Sequence, residues 1–164
     1  MKLLFVGDVV GNSGCELLQK QLYRIKQDHN IDITVVNGEN SAQGNGITPA
    51  SAQKLFSMGV DVITTGNHCF KRREIIDDFD SNEFLLRPAN FPEGVEGRGV
   101  AVIDMCPYKI AVVNLIGTLY LEPVDNPFNV VSMYIASRFF SSLMSRNRHI
   151  SYLALPLNPA LSAC

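Results

Sequence analysis

The sequence predicts an α/β fold on a parallel sheet, and three observations carry that reading. Short apolar, β-branched runs at residues 3–6, 31–36 and 60–64 alternate with segments of helical spacing, the pattern of β-α-β units. The first of them, Leu3 to Val6, is apolar throughout rather than alternating, as expected for a strand buried on both faces. Each run stops abruptly in a glycine followed by a polar side chain: Gly7-Asp8, Gly38-Glu39-Asn40 and Gly66-Asn67-His68. Parallel strands joined by right-handed crossovers bring such ends to one edge, where α/β sheets bind ligands.

The elements follow in order. Residues 3–6 form the first strand and 9–14 a loop. A helix is expected from Ser13 to about residue 27, with Leu17, Leu18, Leu22 and Ile25 on its apolar face. Residues 31–36 are the second strand. Thr48-Pro49 opens the next helix, because threonine caps well and proline suits the first helical position. Ala52, Leu55, Phe56 and Met58 line its buried side, and Gly59 stops it. Residues 60–64 are the third strand and 71–79 a charged helix. Phe84-Leu85-Leu86 leads into a long irregular loop marked by Pro88, Pro92, Gly94, Gly97 and Gly99. Residues 100–105 and 109–115 read as a hairpin turning at Cys106-Pro107-Tyr108, which would make the sheet mixed. Another irregular stretch starts at Glu122. Beyond Phe128 the character shifts. Val130, Val131, Tyr134 and Ile135 set a helix face with Asn129 as its cap. No carboxylate follows Asp125, and Pro156 and Pro159 work against a long helix.

A chain of 164 residues with 46% hydrophobic and 18% charged content has room for one globular domain. Its net charge of -2 argues against an extended nucleic-acid surface and against a polybasic membrane anchor. Cys15, Cys69, Cys106 and Cys164 form no CxxC pair, which argues against a zinc ribbon and fits a reducing compartment. The apolar start is too short for a signal peptide, and no run approaches the roughly 20 apolar residues of a membrane span. The cytoplasm is the expected location.

Asp8, Glu39, Asn40, Asn67 and His68 are the candidate site residues. Any one of them alone reads equally as a polar turn after a strand. Together they form a set of hard oxygen donors plus one imidazole, suited to divalent cations. Two such cations about 3.5–4 Å apart can clamp a phosphoryl group and generate a hydroxide nucleophile. Glu39 could bridge them, with Asp8 on one and Asn67 on the other. Asn40 could ligate or orient substrate. His68 could protonate a leaving alkoxide or stabilise phosphoryl charge. A dinucleotide-binding reading is weak, since residues 7–14 lack the G-x-G-x-x-G spacing.

Gly7-Asp8-Val9-Val10-Gly11, Asn37-Gly38-Glu39-Asn40-Ser41-Ala42, Gly66-Asn67-His68 and Leu86-Arg87-Pro88-Ala89-Asn90 resemble the bacterial YmdB-like metallophosphoesterases of the calcineurin-like superfamily. The motifs run in order over roughly residues 1–128. The resemblance implies an α/β sandwich of the metallophosphoesterase type, of which this is the N-terminal half. It implies a phosphodiesterase acting on cyclic nucleotides, the 2',3'-cyclic class foremost, through a dinuclear iron or manganese centre. Asp8, Glu39, Asn40 and Asn67 carry over as metal ligands and His68 as the catalytic histidine; no substrate-binding residue carries over.

Two departures stand out. Phe70-Lys71-Arg72-Arg73 occupies a place where the family usually has an acid. The family also supplies further histidine ligands from its second half, whereas this chain has only His29, His68 and His149. Residues 129–164 are therefore expected to be an atypical tail from a truncated or frameshifted gene product. The competing expectation is an inactive remnant that binds a metal, a nucleotide or a protein partner. An exposed sheet edge would favour a homo-oligomer.

Overall fold

The computed structural model describes residues 1–106, 108–119, 121, 123–144 and 150–157. His149, Pro107, Glu122 and Pro159 lie outside the described residues.

Strand β1 (Leu3–Asp8) pairs parallel with β2 (Ile33–Asn37), β2 with β3 (Val62–Thr64), and β3 with the two-residue β4 (Leu85–Leu86). The spatial order equals the chain order, β1-β2-β3-β4. A parallel sheet laid down in one direction with right-handed crossovers carries all its helices on one face. The packing agrees. Cys15, Leu18 and Leu22 of α1 (Gly11–His29), Ala52 and Leu55 of α2 (Pro49–Ser57), and Phe79 of α3 (Ile76–Ser81) bury against Val36, Ile63 and Leu85.

The opposite face of this sheet, Ile33, Val35, Val62 and Leu86, packs on Ala101, Ile110 and Val112 of a second sheet. That sheet has the order β5-β6-β7. β5 (Val100–Asp104) and β6 (Lys109–Ile116) are antiparallel, as the hairpin reading expected. The hairpin does not extend the first sheet, however. It forms its own layer, and the first sheet stays wholly parallel among the described strands. β7 (Ile150–Leu157) joins β6 in parallel, and α4 (Pro127–Met144) is the crossover between them. Val130, Val131 and Tyr134 of α4 cover Val113 and Leu115 on the outer face. The layers run helices, sheet, sheet, helix, the α/β sandwich that the resemblance implied.

Several local expectations shift. The first helix starts at Gly11 rather than Ser13. Leu17 is 63% exposed, because the buried stripe runs through Cys15, Leu18 and Leu22, and adjacent helical residues point about 100° apart. The expected charged helix at 71–79 is a 3-10 turn, Arg73–Ile75, continued by α3. The cap of α4 is Asn126, whose Oδ1 accepts from the backbone N–H groups of Phe128 (2.9 Å) and Asn129 (3.4 Å), with Pro127 as the first helical residue. The α2 start holds as read. Thr48 Oγ1 accepts from Ser51 N at 3.2 Å, and Ser51 Oγ accepts from Thr48 N at 3.0 Å. Pro156 sits within β7, which lies at the edge of its sheet, where a missing N–H is tolerated.

Two buried asparagines fasten the layers. Asn114, on β6, donates through Nδ2 to the carbonyls of Thr65 (2.8 Å) and Leu86 (3.1 Å), at the ends of β3 and β4. Asn90 donates to the carbonyls of Ile116 and Asp125, both at 2.9 Å, and accepts from Ile116 N at 3.0 Å. Asn114→Ala leaves the Thr65 carbonyl without that donor between the sheets and opens a cavity. It should destabilise the chain by about 2–3 kcal/mol, read as a lower denaturant midpoint with an unchanged m-value.

Candidate functional site

The carboxyl ends of β1, β2 and β3 are tied by backbone bonds before any side chain is considered. Val9 N donates to Asn37 O and Gly38 N to Thr64 O, both at 3.0 Å. From that edge the chain turns sharply. Ser41 N donates to Gly38 O at 3.0 Å, and the Asn40 carbonyl accepts from Gly11 N (2.9 Å) and Gly44 N (3.1 Å). The start of α1 and the 38–46 loop are thereby locked together at Asn40.

Glycine at 38 and at 66 is a matter of space. A Cβ at Gly38 would come within 2.8 Å of Leu55 Cδ1 and 3.0 Å of Ile63 Cγ2. A Cβ at Gly66 would overlap the Glu39 carboxylate itself. The glycine before Asn67-His68 is the space that Glu39 occupies.

Asp8, Asn40 and His68 meet in a chain. Asn40 Nδ2 donates to Asp8 Oδ2 at 2.8 Å, and Asn40 Oδ1 lies 2.7 Å from His68 Nδ1. Asn40 is only 8% exposed, whereas Asp8 is exposed and His68 half-buried. Glu39 joins from the side, its Oε2 3.5 Å from His68 N. Burial pushes the Glu39 carboxyl above the ordinary range; the His68 backbone N–H opposes this, and the charge of Asp8 adds to it. Asn67 is exposed on the same loop, and its side chain makes no hydrogen bond among the described residues. The structure therefore brings Asp8, Glu39, Asn40 and His68 together and leaves Asn67 beside them, open to solvent.

Among the described residues, no group of three or more His, Cys, Asp or Glu side chains is placed to hold a metal ion. Any cation set here has to draw on the amide oxygens. The donor chemistry suits a hard divalent cation: two carboxylates within each other's field, one raised by burial, with neutral amide oxygens alongside.

Asn37 is a contributor that the sequence reading did not single out. Its Oδ1 accepts from Glu39 N at 2.9 Å and aims the turn that presents Glu39. The signal was available, since an asparagine two residues before a turn position commonly makes this bond. Cys69, next to His68, is buried and its thiol is pushed up to about 12, so it offers no thiolate nucleophile. Arg87, from the fourth motif, donates to the carbonyls of Pro88 (2.8 Å), Val95 (3.2 Å) and Glu96 (3.3 Å) and holds the following loop.

Comparison with known proteins gives this edge a family. The 2',3'-cyclic-nucleotide 2'-phosphodiesterase of Bacillus subtilis is 41% identical over 128 residues, which is 78% of this chain and 48% of that protein. A crystal structure of a novel phosphatase from Mycoplasma pneumoniae superposes with a TM-score of 0.79 at 27% identity, covering 94% of this chain and 56% of that one. A hypothetical protein from Thermus thermophilus gives 0.78 at 26% identity, covering 96% and 59%. The chain thus spans about half the length of the curated relative it matches. The family described as YmdB-like protein matches residues 4–145, which takes in every strand end of the site and the whole of α4. By that match and that identity, the chain belongs to the YmdB-like family.

Proposed function

We propose that this chain carries the first half of a metal-dependent phosphodiesterase site acting on cyclic nucleotides, with the 2',3'-cyclic class as substrate. The observation that carries the reading is the Asp8–Asn40–His68 chain with Glu39 against it, built at one edge of a parallel sheet. The named activity of the Bacillus subtilis relative supports the same chemistry.

In this proposal Asp8, Glu39, Asn40 and Asn67 would hold two divalent cations. Oxygen donors favour manganese, and iron would draw on imidazoles beyond those placed here. When bound, the cations supply Lewis acidity toward phosphoryl oxygens and help ionise an attacking water. The chain's own contribution is geometric. Gly66 makes room for Glu39, Asn37 aims it, and the Asn40 carbonyl pins the loop to the start of α1. His68, when its ring is protonated, delivers a proton to the departing 2' oxygen and is left as the neutral imidazole. A cytoplasmic setting belongs to the proposal, with Cys15, Cys69 and Cys106 as free thiols. So does self-association, since β1 is a sheet edge with Phe5 exposed on it. Among the described residues, no helix is long and apolar enough to cross a membrane.

A second reading has one observation behind it: the described residues offer no cluster of three conventional ligands. In that reading, residues 1–128 form a remnant that binds a metal, nucleotide or protein partner without turnover, and residues 129–164 an atypical tail.

Hydrolysis of 2',3'-cyclic AMP by the metal-stripped chain, with and without manganese, separates the two. Manganese-dependent turnover that falls by about 10²–10⁴-fold in His68→Ala while manganese still binds supports the enzyme. Binding without turnover supports the remnant, and neither binding nor turnover rejects the metal site altogether.

Gly66→Ala should displace the Glu39 carboxylate and weaken manganese binding about 10-fold or more in calorimetry, with little change in fold. Glu39→Gln should act oppositely on binding and stability. A carboxyl whose folded pKa is raised costs stability at pH values above that pKa, and the cost disappears below the unfolded value. The metal-free Glu39→Gln chain should therefore melt higher than wild type at neutral pH. The gap should close as the pH falls toward the ordinary carboxylate range, while manganese binding is lost throughout.

A further inference from the structure

The amide at position 40 does something that neither a carboxylate nor a simple ligand would do. We propose that Asn40 is a positioning residue for His68, fixing the orientation of the ring and holding the neutral imidazole as its Nδ1–H tautomer. The proposal deepens the reading above, in which His68 handles the proton of the leaving group.

The hydrogen-bond chain runs from Asp8 through the Asn40 amide to His68. An ionised carboxylate only accepts, so the Asn40 atom 2.8 Å from Asp8 Oδ2 is the NH2 group. That contact orients the amide and turns its oxygen toward His68, 2.7 Å from Nδ1. An amide oxygen also only accepts, so Nδ1 carries the hydrogen. A neutral imidazole has one N–H, so its Nε2 is then bare; a protonated ring keeps the same bond and gains its second proton at Nε2.

Asn40 is poorly placed to rotate away. It is 8% exposed, and its backbone carbonyl accepts from both Gly11 N and Gly44 N. One lone pair of its Oδ1 remains beside the bond to His68, which leaves room for the ligand role proposed above. An aspartate at this position would keep an acceptor for Nδ1–H but set a carboxylate against Asp8, exchanging a hydrogen bond for repulsion.

The test uses the ¹⁵N-labelled, metal-free full chain at about pH 8.5, where an ordinary imidazole is neutral. Long-range ¹H–¹⁵N correlation identifies the protonated nitrogen of each ring, with His68 assigned through His68→Gln. The expected result is a protonated Nδ1 and a bare Nε2 for His68. In Asn40→Ala the Nδ1–H preference should be lost, and in Asn40→Asp it should be kept, with His29 unchanged in both. An Nε2–H tautomer in the wild-type chain overturns the proposal, and so does an Nδ1–H tautomer that survives in Asn40→Ala. Should Asn40→Ala fail to fold, the wild-type tautomer and Asn40→Asp still decide. No metal or substrate enters the measurement, so a failure of the phosphodiesterase reading and a failure of this one register separately.

Discussion

The peptide carbonyl of Asn40 is the fastening on which the site depends. It accepts from the N–H that opens α1 and from the N–H of Gly44 in its own loop. Both donors would otherwise be unpaired, one because a helix start leaves its first N–H groups free and the other because the loop has no ladder. Satisfying them at one oxygen closes the 38–46 loop against the helix. That closure sets Asn40 Nδ2 on Asp8 and Asn40 Oδ1 on His68. Three segments far apart in the chain thus meet through one buried side chain.

The sandwich keeps that edge in place. Its central layers share an apolar seam, Ile33, Val35, Val62 and Leu86 against Ala101, Ile110 and Val112. Apolar contact is not directional and would tolerate sliding. Asn114 opposes sliding, because its amide bonds to the carbonyls of Thr65 and Leu86 and those carbonyls have fixed directions. Thr65 is next to Gly66, so the register between the sheets and the position of the Gly66-Asn67-His68 loop are set together. Asn90 does the same for the segment leading into α4. The fourth motif is therefore largely a matter of holding loops, with Arg87 and Asn90 bonded to backbone groups rather than open to a ligand.

Electrostatics run against stability at this edge. Glu39 is desolvated and shares the field of Asp8, two effects that both disfavour its charge. A carboxyl kept in such a place is at odds with the preferences of a metal-free fold, and strain of this kind gathers at sites where a ligand relieves it. The glycine at 66 belongs to the same arrangement, since it makes room for a group that a folding core would rather exclude.

Much of this was legible in the chain because its causes are local. The apolar runs of β1, β2 and β3, the Thr48-Pro49 start of α2 and the glycine-terminated strand ends are each specified by neighbouring residues, and the resemblance of four short motifs named the family. Meetings across the chain were less legible. Leu17 reads as core by spacing but faces solvent, because what covers α1 is decided by the sheet beneath it. The β5–β6 hairpin was expected inside the first sheet and forms a second layer, since local alternation defines a hairpin but not the surface on which it rests. Residues 150–157 carry no periodicity of their own, yet pair with β6 as an edge strand. Asp8, Glu39, Asn40 and His68 could be named from sequence as residues sharing an edge. That Asn40 stands between Asp8 and His68, with Asn67 turned to solvent, was decided by the tertiary structure, because a hydrogen bond depends on distance and direction that spacing along the chain does not specify.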